Sequence, residues 1–218
     1  MPVLLTLRVV GEHDREDRPL GSSTEAAGPQ AEKTAAHYAI DVRRSTFTLQ
    51  AFSTGMLSAF GHNPKIAVRD LQGEAQFVPS GTTLQDAQVQ VTIRADSLEV
   101  IDDISDKDRR EIQRQMYEEV LETDRFPEIR YDCSRVTVSG SADRYWAALN
   151  GELSLHGETH SLPISARVAI TGDTLRASGE FSISQSQFGI TPVKVAGGAI
   201  RLQDEVKCSF DIVAHKHE

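Results

Sequence analysis

What this sequence has little of narrows its role quickly. Basic residues are outnumbered, 23 Lys and Arg against 32 Asp and Glu, and the net charge is −9. Nucleic-acid binding needs a concentrated basic surface to neutralise phosphates, so it is excluded as the main role. The same shortage excludes a polybasic membrane anchor. No apolar run approaches the ~18 residues that a membrane-spanning helix needs. Only two cysteines are present, Cys133 and Cys208. Each alternates with apolar neighbours and reads as a small buried hydrophobe. Two cysteines so far apart give no zinc spacing. The sequence lacks a Gly-x-Ser-x-Gly elbow, a phosphate loop, a dinucleotide glycine motif and His-Glu-x-x-His. Residues 1–10 are mildly apolar, but they lack a basic start and contain Arg8. They do not read as a signal peptide, and a cytoplasmic location is expected.

What is present divides the chain in two. Residues 11–37 are rich in Gly, Pro, Ser, Ala and mixed charge, with no apolar periodicity. Such a composition buries too little surface to offset its ordering entropy. Residues 1–37 are expected to be a disordered extension, in which residues 3–10 offer at most a stray strand. Residues 38–216 are expected to form the folded domain.

From Tyr38 onward apolar residues recur at every second position. Val89, Val91, Ile93 and Ala95 alternate with Gln88, Gln90, Thr92 and Arg94, the pattern of a strand with one wet face. Ile129, Tyr131 and Cys133 repeat it. So do Leu153 and Leu155, then Ile164, Ala166, Val168 and Ile170. After the turn signal Thr171-Gly172-Asp173-Thr174 it returns in Leu175, Ala177, Gly179, Phe181 and Ile183. Ile200, Leu202, Val206, Cys208, Phe210 and Ile212 close the chain. His215 and His217 fall in a polar end expected to be frayed and solvated. Eight or nine strands joined largely by hairpins imply an antiparallel sheet.

One segment departs from this period. Ser105-Asp106-Lys107-Asp108 resembles a helix capping box. Ile112, Met116, Tyr117, Val120 and Leu121 then fall on one face at helical spacing. The helix is expected over 105–123, ended by Pro127. One helix covers little of so large a sheet. Closing the sheet into a barrel of about eight strands satisfies both its edges and its apolar face. The fold class is therefore mainly β: a single antiparallel barrel with one inserted amphipathic helix.

Several motifs carry a family resemblance. Tyr38-Ala39-Ile40-Asp41 leads to Ser45 and Phe47. Phe60-Gly61-His62-Asn63-Pro64-Lys65-Ile66 leads to Gly73. The helix block over residues 105–136 contains Phe126-Pro127-Glu128-Ile129. Gly151 to Thr159 follows a G-x-L-x-L-x-G-x-T pattern, and Ser186 to Ile190 an S-x-F-G-I pattern. In this order they resemble the YceI-like family from Tyr38 to about Ala214. The resemblance implies a lipocalin-like barrel that binds polyisoprenoid chains, including isoprenoid quinones. It implies neither catalysis nor a cofactor. Many relatives carry an export signal, and the extension has no counterpart in the resemblance.

The expected ligand wall consists of Phe47, Leu49, Phe52, Phe60, Phe77, Ile93, Phe126, Phe181, Phe188 and Phe210. His62 is the candidate hydrogen-bond partner of a head group. Binding of this kind rests on burial, worth about 25 cal/mol per Å² of apolar area. Which strand parity faces inward stays open, because a one-residue shift of register swaps every face. His156 and His160 flank a hairpin tip and read as structural rather than as metal ligands. The acidic group Asp102, Asp103, Asp106 and Asp108 reads as charge complementing a helix start. Two alternatives stand beside lipid binding. One is an enzyme built around polar barrel residues such as His62. The other is a ligand-free interaction or stress-response module whose barrel is filled by its own side chains. A homodimer is compatible with a sheet protein.

Overall fold

The computed structural model describes residues 34–54, 63–80, 83–141, 144–195 and 200–217. The stray strand at residues 3–10 and most of the expected extension lie outside these residues. Thirteen strands follow: β1 Ala36–Ile40, β2 Thr46–Thr54, β3 Lys65–Val68, β4 Leu71–Ser80, β5 Thr83–Arg94, β6 Leu98–Val100, β7 Glu128–Cys133, β8 Val136–Ser141, β9 Arg144–Leu155, β10 Glu158–Thr171, β11 Thr174–Ser184, β12 Lys194–Val195 and β13 Ile200–His217. Every pairing among them is antiparallel.

Twelve of these segments make eight staves, because four staves are each broken in two, and the two-residue β12 pairs only with β13. β1 and β2 both pair with β13, at Ala214–His217 and at Arg201–Asp211. They are one long strand interrupted by the 3-10 turn Val42–Arg44. β3 and β4 form the next stave, pairing with β2 and β1 in turn. β5 and β6 form the third, broken by the 3-10 turn Ala95–Ser97. β7 and β8 pair with successive stretches of β9 and form the fourth. β9, β10, β11 and β13 complete the ring, and the β1–β13 pairing closes it. The closed antiparallel eight-stave barrel expected from the alternation is present.

The breaks are tied across the sheet. Arg69 donates its N–H to the Ser97 carbonyl at 3.1 Å, and Arg94 donates to the Asp70 carbonyl at 3.2 Å. Asp41 donates to the Val213 carbonyl at 2.8 Å. Backbone groups freed by each kink are thereby paired, which buried backbone requires. The C-terminus is not frayed. β13 runs to His217, which pairs with His37, and the His215 ring contacts Arg44 and Thr174. Pairing with β1 supplies the backbone partners that a polar terminal stretch lacks alone.

The helix, α1, spans Asp106–Gln115, and a π-helical turn Met116–Val120 extends it. The Ser105 side chain accepts the Asp108 N–H at 3.1 Å and donates its hydroxyl to the Asp108 carboxylate at 2.7 Å. Ser105 thus caps the helix, while the reciprocal bond of a full capping box is replaced by this side-chain pair. The Leu121 N–H reaches back to the Met116 carbonyl, five residues earlier. The wider turn brings both Val120 and Leu121 to the inner side with Met116. No helix among the described residues is long and apolar enough to cross a membrane.

Candidate functional site

Along most of each stave every second residue turns inward, except around the bulge between Gln76 and Val78, where consecutive residues of β4 and β5 reach the interior. On β9, Tyr145, Ala147, Leu149, Gly151, Leu153 and Leu155 are buried while the intervening residues are exposed, apart from partly buried Ser154. The inward residues do not meet in the middle. They surround a cavity of about 500 Å³, within the range of small-molecule sites. Its wall draws on β2, β3 and β4, on β5, on β9 to β11, on β13 and on the helix. An interior filled by the barrel's own side chains, as the interaction-module alternative expects, is not what these residues build.

The wall is hydrocarbon along most of its length. Three phenylalanines from three staves converge in it. The Phe47 and Phe210 rings stack with centroids 6.3 Å apart. Phe181 meets Phe47 edge-on at 6.2 Å and Phe210 at 6.3 Å. Gly179 makes room for this group, since a Cβ there would lie 2.8 Å from Cζ of Phe210. In the second half of β4, Phe77 stacks on Tyr38 at 5.3 Å within a separate buried cluster with Ala36, Leu175 and Ala214.

Polar groups in the wall are few and mostly held uncharged. The free Cys208 thiol is 3% exposed, and burial pushes it up to about 12. Burial also raises the Tyr131 phenol, which donates to the Leu162 carbonyl at 3.0 Å. Glu74, Gln76, Gln88, Gln115, Gln185 and Arg201 bring the other polar ends to the wall. Cys133, also a free thiol, is buried outside it.

Of the residues expected to line a site, Phe47, Leu49, Phe77, Ile93, Phe181 and Phe210 do face the cavity. Phe52 does not. It follows Ala51, which lines the cavity, and its ring lies under the Lys207 ammonium at 5.3 Å. Phe126 precedes β7 and packs on His156 with ring centroids 4.4 Å apart. Phe188 closes the 3-10 turn Gln185–Phe188 and is 1% exposed beneath the His160 ring. Phe60 and His62 lie outside the described residues.

His156 has a structural position. It and Gly157 are the two central residues of the β9–β10 hairpin, with φ of 53° and 81°. Two positive φ angles are what a type I′ turn requires. The ring of His156 bonds the Phe188 carbonyl and the Glu122 carboxylate, each at 3.2 Å. It thereby ties the hairpin, the segment after the helix and the 3-10 turn together. Asp102 is structural as well, accepting the Lys65 N–H at 2.8 Å.

The size-based expectation misses much of the wall: Ala147, Leu149 and Leu153 of β9, the helix residues Ile112, Met116 and Leu121, and Gln185. The alternation and the helical spacing carried a signal for the first two groups. Gln185 carried none.

The YceI-like domain model matches residues 38–214. Among solved structures, BcnA of Burkholderia cenocepacia superposes with a TM-score of 0.62 at 18% identity, covering 80% of this chain and 98% of that one. A polyisoprenoid binding domain from Saccharophagus degradans, implicated in plant cell wall breakdown, gives 0.59 at 14% identity, covering 82% and 97%. A Campylobacter jejuni YCEI protein gives 0.53 at 14%, covering 72% and 88%. No curated protein matches the chain. The domain match takes in nearly the whole barrel, and the chain belongs to the YceI-like family.

Proposed function

We propose that this chain holds an isoprenoid lipid, a polyprenol or an isoprenoid quinone, inside its barrel as a carrier or sequestering protein. One observation carries the reading. The cavity, about 500 Å³, is walled mainly by apolar side chains from staves all round the ring, and its buried thiol and phenol, Cys208 and Tyr131, are held protonated. A flexible hydrocarbon chain gains most from such a space, because its binding free energy scales with apolar area removed from water. The Saccharophagus relative, described as polyisoprenoid-binding, shares the fold and supports the same ligand class. A binding role rather than catalysis is part of this proposal.

The test is direct. Purified full-length chain is analysed by native mass spectrometry and by organic extraction. A co-purifying prenyl lipid, or saturable uptake of added polyprenol or quinone, is the expected result. A chain that carries none and takes up none has another function.

A further inference from the structure

Apart from tyrosines and cysteines, Gln185 is the only polar or charged residue buried among the described ones, at 7% exposure. It begins the 3-10 turn Gln185–Phe188 and forms part of the cavity wall. Only half of its amide is used. Nε2 donates to the Gln203 carbonyl at 2.9 Å, with the Asp204 carbonyl 3.5 Å away. Two carbonyl oxygens facing one end of the amide identify that end as the nitrogen. Oε1, at the other end, accepts no hydrogen bond among the described residues. It is not sealed in protein either, since the one buried, unpartnered side-chain polar atom among those residues is Arg109 Nε. Oε1 is thus the unpaired end of a side chain that lines the cavity. The other amide and charged residues of the wall, Glu74, Gln76, Gln88, Gln115 and Arg201, are half-buried or exposed and have water at hand.

We infer that Gln185 reads the head group: its Oε1 accepts a hydrogen bond from the hydroxyl of a bound prenyl alcohol or quinol. This rests on the isoprenoid-binding reading and adds a selectivity to it. Ether, ester and quinone heads bring only lone pairs, which leave Oε1 unpaired. The amide does not turn round to donate instead, because its oxygen would then face the Gln203 and Asp204 carbonyls. The cavity thus favours lipids whose head donates over lipids whose head only accepts.

The experiment titrates delipidated full-length chain with geranylgeraniol and with geranylgeranyl methyl ether. The two share a tail, and only the alcohol has a hydroxyl proton. The alcohol should bind about fivefold more tightly, the worth of one net hydrogen bond. In Gln185→Met the preference should vanish while ether affinity is kept. Equal affinities in the wild type, or an unchanged preference in the variant, overturn the assignment and leave lipid binding standing. Failure of both probes to bind overturns the isoprenoid reading too. Should Gln185→Met not fold, the Gln185 side-chain amide resonance of the wild type decides. It should move on adding the alcohol and stay fixed with the ether. An equal response to both removes the proposal.

Discussion

Gln113 donates its side-chain Nε2–H to the Leu98 carbonyl at 2.5 Å, and its Oε1 takes the Val100 N–H at 2.9 Å. A neighbouring strand offers the same donor and acceptor to alternate residues of its partner. Among the described residues no strand pairs with this edge of β6, so one glutamine on the helix substitutes for it. The Tyr117 hydroxyl lies 2.7 Å from both the Leu98 and the Asp96 carbonyls. Helix and edge together complete the wall where Ile112, Met116 and Leu121 reach the cavity.

Removing this edge cover should be costly and non-additive. Gln113→Leu orphans the Val100 N–H, in a residue 1% exposed, while Tyr117 still serves Leu98. Urea denaturation should show a loss of about 2 kcal/mol. Tyr117→Phe should cost about 1 kcal/mol. The double variant should lose more than the sum, because each side chain covers Leu98 for the other. Strict additivity would mean that the two bonds to this edge are independent.

Much of this barrel is legible from local patterning, and what is not has a physical reason. Val89, Val91 and Ile93 line the cavity while Gln90 and Arg94 are exposed, as period two requires. Phe52 shows the limit of choosing residues by size. It has the opposite parity to Phe47, Leu49 and Ala51, so the strand turns it outward whatever its hydrophobicity. Phe126 and Phe188 sit in irregular segments, where no period gives a direction. Ring closure and the kinked staves depend on partners far apart in sequence, such as Ile40 with Ala214. Gln185 is decided in the same non-local way, by the carbonyl of Gln203.

The bore itself can be tested by filling it. Ala166 of β10 faces Ala147 of β9, and both line the cavity. A phenyl ring at Ala166→Phe takes its volume from the cavity that both alanines border. The fold should survive with little change in Tm, and the lipid recovered per chain should fall severalfold. Ser165→Phe, one residue away on the exposed face, is the control and should retain its lipid. Full lipid recovery from Ala166→Phe would place the ligand elsewhere.

Packing around the aromatic group sets a stability prediction. A Cβ at Gly179 would lie 2.5 Å from the Ser165 carbonyl oxygen and 2.8 Å from Cζ of Phe210. The first neighbour is backbone and the second belongs to the ring cluster, so neither contact relaxes cheaply. Gly179→Ala should destabilise the barrel by about 1–3 kcal/mol in chemical denaturation. Adding Phe210→Leu should recover part of that loss, because it relieves the ring contact and leaves the backbone one. No recovery at all would assign the whole cost to Ser165.

Alkaline pH should weaken the fold through Cys208. Burial raises this thiol to about 12 in the folded chain, against an ordinary value of about 9. The unfolded chain therefore loses its proton first. Stability from the neutral buried thiol is complete below about pH 9 and declines as pH rises toward 12. Tyr131, Tyr38 and Tyr117 are also raised by burial, but their window opens only above about 10. Between pH 9 and 10 the decline should thus belong mainly to Cys208, and Cys208→Val should flatten it in denaturation curves. Thiol chemistry gives an independent check. Cys208 lines the cavity at 3% exposure, so a small alkylating reagent at pH 8 should modify it far more slowly in the folded chain than in urea. A prenyl lipid in the cavity should slow that reaction further. Rapid labelling of the folded chain, indifferent to added lipid, would show that Cys208 is open to water and that the bore is not the dry hydrocarbon space its wall describes.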